Sequence, residues 1–345
     1  MQSKNKKLGV GLRGTGQVAV QHAAAYSRNE HTYIAAVCGR DYEHAKQFAA
    51  RYAPDATVYR HYEEMLLSAD VDIVSECMPN YLHAPESIAA LQAGKHLLLE
   101  KPAGITEEEV DALYHTAVRS DKKTVVSFLT RWIPLTAALK GLIDGDAIGK
   151  VYYAQADYWH GIKPTFASYS WIRKQALAGG AMITGGCHAA DIARYLNGEI
   201  TEVSAYACRA REDFDYDTTL VASAKFANGS VGKISASLDG LAFPYQFNID
   251  LLGTDGAIRN DKIYSDKLFP KQTDWVRLPM VEPNTGSVDH HPFREEIDEF
   301  IDGILNDTPI RSTVTDACKS MDVALAITES ARTGKPVSIQ QRGGA

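Results

Sequence analysis

The chain contains 345 residues, of which 45% are hydrophobic and 23% are charged, and its formal net charge is -7. This length fits two domains better than one, and this composition is typical of a globular protein with ordinary hydrophobic cores. Because the net charge is negative and no long basic run occurs, nucleic acid and anionic membrane surfaces are poor candidates for partners.

Targeting signals and cysteine usage together predict a cytoplasmic protein. The polar and basic start, Met1–Lys7, is not followed by the apolar core of a signal peptide, and no segment approaches the length that spans a bilayer. The cysteines occur singly and form no CxxC pair, which predicts reduced thiols and neither a disulfide framework nor a metal site. They are Cys38, Cys77, Cys187, Cys208 and Cys318.

The N-terminal part of the chain begins with a strand, a glycine-rich turn and a helix. Leu8–Leu12 is a short apolar strand, and the G-x-G-x-x-A spacing of Gly14, Gly16 and Ala19 follows it. Gly14 permits a tight turn, Gly16 lets the backbone approach a pyrophosphate, and Ala19 allows close packing of helix on strand. The pattern predicts a dinucleotide site, with coenzyme contacts from Gly14, Thr15, Gly16, Gln17 and Val18.

The end of the second strand, Tyr33–Val37, bears on the choice of coenzyme. A fold that prefers NAD places a carboxylate here for the ribose 2′-hydroxyl, whereas this chain has Gly39 followed by Arg40. A guanidinium suits a 2′-phosphate, so the residues favour NADP over NAD. Asp41 keeps the alternative open, because it is either the N-cap of the next helix or a ribose ligand that restores NAD.

A further strand, Asp72–Met78, ends at Pro79 and Asn80, and His83 then opens the next helix. Because ligands of open α/β sheets bind outside the carboxyl ends of the strands, these three residues are expected near a nicotinamide. A turn at the helix entry explains Asn80 equally well.

Lys101 follows the short apolar strand His96–Leu99, which Gly94 precedes as a helix stop. Pro102 ends the strand and favours an extended conformation at Lys101, so the ammonium is expected to point into the crevice at this sheet edge. Glu100, the adjacent residue, is expected to hold Lys101 in place, and both residues are candidate coenzyme contacts.

Alternation of strands and helices continues through a capped helix that starts at Thr106 and a buried strand, Thr124–Phe128. This order predicts a doubly wound parallel sheet, and we assign residues 1–123 to a Rossmann domain. From about residue 150 the pattern changes to strands and hairpins, such as Thr218–Phe226 and Ser230–Leu238 joined at an Asn-Gly turn. We therefore assign residues 124–345 to an α+β domain with a mostly antiparallel open sheet.

The second half also contains a helical segment, Trp171–Leu196, and a helical apolar stripe, Phe293–Leu305, that predicts core packing. Aromatic faces with a few polar groups suit sugar rings, although core packing explains each aromatic residue equally well. The candidate substrate ligands in and before this helical segment are Arg131, Trp159, Tyr169 and Trp171.

These features resemble the Gfo/Idh/MocA family of NAD(P)-dependent sugar and cyclitol oxidoreductases over nearly the whole chain. The resemblance implies a Rossmann domain and an α+β domain whose exposed sheet face makes homodimers or homotetramers, and a carbohydrate or cyclitol as substrate. It rests on the Gly14–Gly16 turn, Pro79–His83, Lys95–His96, Glu100–Pro102, Gly179–Asp191 and Ser330–Val337.

By position, Lys101 resembles the catalytic lysine of the family and His188 its catalytic histidine. The commonest family pattern has an aspartate four residues before that histidine, where this chain has Thr184. Thr184 is expected to contact a sugar hydroxyl but supplies no carboxylate to balance an imidazolium. In the implied reaction, His188 or Lys101 accepts the hydroxyl proton and the Lys101 ammonium stabilises the alkoxide. Asp191 either orients the imidazole or has a structural role, which we favour.

Two alternatives share this scaffold. A non-redox NAD-dependent glycosidase would show no net change in NADH absorbance, and Thr184 keeps this option open although no second carboxylate is placed as the acid. A non-catalytic nucleotide-responsive protein is disfavoured because both Lys101 and His188 are present.

Overall fold

The computed structural model describes residues 7–240, 242–280 and 291–343. The expectation about the basic start of the chain falls, except for Lys7, outside this range. No described helix combines the length and the apolar composition needed to cross a bilayer.

The first sheet has six strands, all parallel, in the order β3-β2-β1-β4-β5-β6, with helices in the connections. This order confirms the predicted doubly wound sheet. Its elements are β1 (Leu8–Arg13), α1 (Gln17–Arg28), β2 (Thr32–Cys38), α2 (Tyr42–Tyr52), β3 (Thr57–Val58), α3 (Tyr62–Leu67), β4 (Ile73–Glu76), α4 (Asn80–Gln92), β5 (His96–Leu99), α5 (Glu107–Arg119) and β6 (Thr124–Val126).

The predicted boundary at residue 124 is one strand too early. β6 pairs with β5 in parallel register, so it completes the first sheet rather than beginning the second domain. The start of α4 also differs from the prediction, because the helix begins at Asn80 and Pro85 lies inside it. Pro85 is the sixth residue of α4 and has no amide hydrogen to donate to the carbonyl of Tyr81, four residues earlier.

Two helix starts in this domain follow the predicted capping chemistry. The Asp41 side chain accepts a hydrogen bond from the His44 amide at 2.8 Å and so caps α2. Thr106 caps α5 by accepting from the Glu109 amide at 3.2 Å, but Glu109 Oε2 accepts in turn from the Ile105 amide. The capping box therefore closes one residue earlier than its usual form.

The second sheet has nine strands in the order β14-β13-β12-β11-β7-β10-β9-β8-β15. Among the described strand pairs of this second sheet, only β7–β10 is parallel, which confirms a mostly antiparallel sheet. Its strands are β7 (Val151–Trp159), β8 (Ile200–Cys208), β9 (Thr219–Phe226), β10 (Val231–Ser237), β11 (Gln246–Gly253), β12 (Gly256–Arg259), β13 (Lys262–Ser265), β14 (Val276–Arg277) and β15 (Val337–Ser338).

Helices cover one face of this sheet, where α9 packs on β7 and α11 packs on β8. The opposite face carries the exposed side chains of Tyr206, Val221 and Val231. Besides a 3-10 turn (Leu129–Trp132), the helices of this half are α6 (Pro134–Asp144), α7 (Tyr169–Ile172), α8 (Gln175–Ala178), α9 (Cys187–Asn197), α10 (Phe293–Asn306) and α11 (Val314–Thr333).

The segment predicted as one helix, Trp171–Leu196, is broken into several pieces. α8 ends at Gly179, whose φ of 83° is left-handed, and Gly180 follows with a φ of 112°. A π-helical turn, Met182–Gly186, then leads directly into α9. π-Helical turns interrupt the regular hydrogen-bond ladder and occur frequently at functional sites.

α10 belongs to the second half of the chain but packs against the first domain. Its apolar stripe, Ile297, Phe300 and Ile301, joins the buried cluster that contains Val10 and Leu12 of β1. These residues therefore pack in a core, as predicted, although it is the core of the other domain, whereas Leu305 at the end of the predicted stripe is 44% exposed.

Candidate active site

The glycine-rich turn between β1 and α1 has the geometry of a phosphate cradle. Gly14 has a φ of 114°, and a Cβ there would lie 2.7 Å from the carbonyl oxygen of Cys77. A Cβ on Gly16 would meet nothing within 4 Å, and no side chain caps the first turn of α1. Open space above uncapped amide groups fits the pyrophosphate of a dinucleotide, which the helix N-terminus stabilises. Thr15, Gln17 and Val18 lie in the same turn.

A cavity of about 460 Å³ opens beside this turn, at the carboxyl end of β2. Gly39 and Arg40 line it as predicted, together with Arg60, which comes from the start of α3. The Arg40 guanidinium lies 3.4 Å from the Tyr81 hydroxyl, and the Arg60 guanidinium lies 4.2 Å from the centre of the Tyr42 ring. Nothing in the local sequence pattern singled out Arg60, because only the fold brings α3 to this strand end.

An ion pair that the sequence does not predict lies on the floor of this cavity. Arg13, the last residue of β1, donates from Nε and Nη2 to the two carboxylate oxygens of Glu86, each at 2.6 Å. Its Nη1 lies 3.3 Å from Cys38 Sγ. The partners are far apart in sequence, so spacing carries no signal for the pair.

Asn80 and His83 connect the two halves of the site. Asn80 Nδ2 donates to the Thr184 hydroxyl at 2.9 Å and to the Ala178 carbonyl at 3.1 Å. The His83 ring lies between the carbonyl oxygens of Pro102, at 2.7 Å, and Met78, at 2.6 Å. His83 is fully buried, so the contacts do not support its prediction as a coenzyme ligand and indicate that it fixes the two strand-end turns. Pro79 is the N-cap residue of α4.

Lys101 lies at the end of β5, before the cis peptide bond to Pro102, and reaches the second half of the chain. Its Nζ donates to the backbone carbonyl of Thr184 at 3.0 Å. The carboxylate of Glu100 does not hydrogen-bond to Lys101 but accepts from His22 Nε2 at 3.1 Å. Burial alone would raise the pKa of Glu100, yet the hydrogen bond and charge of His22 and the charge of Lys101 lower it below its usual value.

His188 lies in the first turn of α9, directly after the π-helical turn. The Tyr158 ring stacks on its imidazole at 5.5 Å, and the Phe128 ring meets it edge-on at 5.8 Å. This approach requires glycine at position 185, where a Cβ would lie 2.7 Å from the Tyr158 ring. Burial first, and then the charge of Lys101, lower the pKa of His188 well below its usual value. The imidazole is therefore neutral at pH 7, and its buried Nδ1 has no hydrogen-bond partner among the described residues.

On the neighbouring strand β7, Tyr158 and not the predicted substrate ligand Trp159 faces His188. Side chains alternate along a strand, so Tyr158 faces His188 whereas Trp159 faces the opposite side of the sheet. There Trp159 Nε1 donates to Ser235 Oγ at 3.1 Å. The residues that line the His188 side are Tyr158 and His160, which are 3.0 Å apart between hydroxyl and Nδ1. Burial and the charge of Lys101 lower the pKa of His160 to about 4.

Arg131, another predicted substrate ligand, lies at the domain junction, where its guanidinium hydrogen-bonds to side chains of this chain. Its Nε and Nη2 donate to Asp191 at 2.8 and 2.6 Å, and Nη2 also lies 2.6 Å from Asp316. The guanidinium is 3% exposed, so these carboxylates and not a substrate satisfy it. The structural role favoured for Asp191 agrees with this arrangement, which is completed by a hydrogen bond from Ser320 at 2.6 Å.

Tyr169 and Trp171 lie in and around α7. The Tyr169 hydroxyl donates to Asp213, and its ring meets the Arg173 guanidinium at 5.5 Å. Trp171 is partly buried against the core of the second domain. Their contacts with substrate stay a prediction. Among the described residues, no group of three or more histidine, cysteine, aspartate or glutamate side chains is placed to hold a metal ion.

A dinucleotide cradle in a Rossmann domain, and a lysine that contacts the turn before a neutral histidine in the second domain, define an NAD(P)-dependent oxidoreductase. Family comparison agrees: the NAD-binding Rossmann fold of the oxidoreductase family matches residues 8–128, and its C-terminal alpha/beta domain matches residues 140–339. The chain belongs to the Gfo/Idh/MocA oxidoreductase family.

The proteins to which this chain is similar include named dehydrogenases. Levoglucosan dehydrogenase of Pseudarthrobacter phenanthrenivorans is 28% identical, over 73% of each chain. The scyllo-inositol 2-dehydrogenase (NAD(+)) of Bacillus subtilis is 29% identical, over 80% of each chain. The structure of a levoglucosan dehydrogenase with NADH and levoglucosan has the same fold, with a TM-score of 0.87 at 24% identity, and the alignment covers 98% of this chain and 100% of that one.

Proposed function

We propose that this protein transfers a hydride between a nicotinamide coenzyme and a secondary alcohol or ketone of a sugar, a sugar derivative or an inositol. The observation that carries the proposal is the contact of Lys101 Nζ with the Thr184 carbonyl at 3.0 Å. It brings the lysine at the edge of the coenzyme-binding sheet to the π-helical turn that precedes His188. The substrates named for the relatives support the choice of a carbohydrate or cyclitol.

The side chains divide the acid–base work between them. A nicotinamide coenzyme held by the Gly14–Gly16 turn would supply the acceptor or donor of the hydride. His188 is neutral at pH 7 because of its burial, so its imidazole accepts the hydroxyl proton as the hydride leaves. The Lys101 ammonium donates a hydrogen bond to the same oxygen and stabilises its negative charge. Thr184, fixed by Asn80, offers its hydroxyl oxygen and methyl group to the neighbouring substrate atoms.

The test is coenzyme binding followed by turnover. NADH and NADPH are titrated separately, and absorbance at the nicotinamide band is then followed with a panel of sugars and inositols. Binding with turnover on a polyol supports the proposal. Tight binding without turnover across the panel favours the glycosidase or regulatory alternative, and release of a leaving group from aryl glycosides separates those two. Failure to bind either coenzyme contradicts the proposal altogether.

For the coenzyme we propose a preference for NADP over NAD. Two guanidinium groups, from Arg40 and Arg60, line the cavity at the end of β2, where a 2′-phosphate attached to the ribose would lie. The only carboxylate of the Gly39–Asp41 stretch, Asp41, already caps α2.

The double variant Arg40→Gln/Arg60→Gln tests this preference. We expect NADPH affinity to fall about tenfold or more and NADH affinity to change little, because only NADPH carries the phosphate. Arg51→Gln is the matched control, since Arg51 is an exposed arginine of α2 that contacts the Tyr52 ring. Equal losses for both coenzymes would contradict the proposed phosphate contact.

We also propose that the chain forms a homodimer or homotetramer through the open face of the second sheet, and that it works in the cytoplasm. The exposed Tyr206, Val221 and Val231 side chains on that face support the assembly. The described cysteines are all free, as expected in a reducing compartment. Light scattering with size-exclusion chromatography measures the assembly, and a monomer at micromolar concentration would contradict it.

A further inference from the structure

A buried histidine lies beneath the catalytic lysine and takes no part in the mechanism described above. His22 is on α1, is 0% exposed and uses both ring nitrogens. Its Nδ1 lies 2.8 Å from Ser75 Oγ at the edge of β4, and its Nε2 lies 3.1 Å from Glu100 Oε1. The ring also packs against Phe293 at 5.1 Å.

We propose that His22 is a positioning residue for Lys101, acting through Glu100. Glu100 directly precedes Lys101 in the chain, and its buried carboxylate lies 3.1 Å from His22 Nε2. A hydrogen bond from His22 keeps Glu100 anionic despite its burial, and the anion then stabilises and orients the ammonium of the next residue.

A second buried carboxyl in the same core shows that burial here does not by itself leave a carboxyl charged. Glu296 of α10 is 0% exposed and accepts from Ser127 Oγ at 3.0 Å, while its Oε1 has no hydrogen-bond partner in the described part of the chain. Its pKa is raised well above the usual value, by burial first and then by the charge of Glu100. The two carboxyls therefore differ: the one that His22 contacts keeps the negative charge, and it is the one beside Lys101.

The location of His22 explains why this support is built into α1. That helix begins at the phosphate cradle, and His22 lies less than two turns into it. Its ring joins the coenzyme-binding helix to the ends of β4 and β5, so the cradle and the lysine are fixed by one side chain.

Two substitutions separate the Glu100 contact from the rest of the His22 environment. The terminal amide of glutamine reaches the position of Nε2, so His22→Gln keeps a donor to Glu100 and loses the contact with Ser75. The amide of asparagine reaches only the position of Nδ1, so His22→Asn keeps the Ser75 contact and leaves Glu100 without this donor. The inference rests on the proposed hydride transfer, so wild-type turnover on a polyol is established first.

We expect His22→Asn to lower kcat about 10- to 100-fold with little change in KM or in coenzyme affinity, and His22→Gln to recover most of that loss. Thermal unfolding is measured for both variants to identify any loss that follows from instability. Labelling of the Lys101 amine by trinitrobenzenesulfonate, followed by peptide mass spectrometry without coenzyme, is the readout that needs no turnover. Labelling should be several times faster in His22→Asn than in the wild type or His22→Gln, because the ammonium has lost its stabilising anion.

The outcomes distinguish the two proposals. Equal kcat losses in both variants, in step with their melting temperatures, would show that His22 is only structural. Wild-type kcat and labelling in His22→Asn would also overturn the inference. If the wild type shows no turnover on the panel, the proposed function fails, and the labelling rates still decide whether His22 supports Lys101.

Discussion

The coenzyme side and the substrate side of the candidate site are built by different means. On the coenzyme side, the phosphate cradle consists of backbone groups and glycines. The turn with Gly14 and Gly16 lies in one short stretch between β1 and α1. On the substrate side, each side chain comes from a different element, with Asn80 on α4, Lys101 after β5, Tyr158 on β7 and His188 on α9. A local motif therefore describes the first side, and only tertiary contacts describe the second.

This difference teaches where chemistry can change within such a scaffold. A cradle made of backbone accepts few changes, because a Cβ on Gly14 meets the next strand. A wall made of side chains accepts many, and this chain has Thr184 where the commonest family pattern has an aspartate. Here Asn80 and Lys101 hold the threonine hydroxyl and carbonyl, and the stacked Tyr158 ring keeps His188 buried and neutral.

The largest expected effect is on the substrate side. We expect Lys101→Met to lower kcat/KM about 10³-fold, because it removes the donor to the reacting oxygen while leaving the coenzyme cradle intact. Coenzyme affinity should stay within about threefold of wild type, since the cradle makes its contacts elsewhere. Lys140→Met, at a half-buried position on α6 where the lysine pairs with Asp144, is the control. A comparable loss of coenzyme binding in Lys101→Met would contradict the division into a coenzyme side and a substrate side.

A matched pair of glycine variants tests the coenzyme side. Gly14→Ala combines a φ of 114° with a Cβ 2.7 Å from Cys77 oxygen, so we expect a loss of about 1–3 kcal/mol of stability. Gly16→Ala places its Cβ in open space, so unfolding should be unchanged while coenzyme affinity falls about tenfold or more. Denaturant unfolding and fluorescence titration measure the two quantities. Undiminished coenzyme binding in Gly16→Ala would show that the pyrophosphate lies elsewhere.

The pH dependence of oxidation reports on the environment of His188. Its pKa lies well below 6.5, so the imidazole stays neutral and able to accept a proton as the pH falls through 6.5. The acid limb of kcat for alcohol oxidation should therefore lie below pH 6.5, and His188→Asn should remove this limb and lower kcat about 100-fold. An acid limb at or above pH 6.5 that disappears in the same variant would mean that the histidine is more exposed in the working enzyme.

The smallest effect on catalysis is expected at Trp159, the residue next to Tyr158 on the opposite face of the sheet. Trp159→Phe removes the hydrogen bond to Ser235 and should leave kcat unchanged while weakening the assembly through the sheet face. Tyr158→Leu, one residue earlier, should lower kcat by about tenfold because it removes the ring stacked on His188. Steady-state kinetics and light scattering measure both variants. A larger loss of kcat in Trp159→Phe than in Tyr158→Leu would contradict the assignment of Tyr158 to the substrate side of the sheet.

How much could be predicted from the sequence follows the same division. The parallel sheet, the hairpins, the caps at Asp41 and Thr106 and the positions of Lys101 and His188 all depend on local pattern or on motifs, and the sequence contained them. The face on which Trp159 lies could not be predicted, because the phase of an alternating strand cannot be fixed without its partners. Arg131 could not be placed because its partners, Asp191 and Asp316, lie far away in the chain. The surroundings of His83 and Arg60 depend on how turns pack together, which no local pattern fixes, and the π-helical turn has no simple residue signature.

The return of α10 to the first domain has a consequence for synthesis. During translation the coenzyme-binding sheet leaves the ribosome first, yet the pocket filled by Ile297, Phe300 and Ile301 stays open until almost the whole polypeptide has been made. The Trp132 indole likewise waits for its acceptor, Glu299, which lies 3.0 Å away in the finished protein. We expect the nascent first domain to be a natural client for chaperones, and a fragment cut before residue 290 to aggregate rather than to fold as an independent coenzyme-binding module.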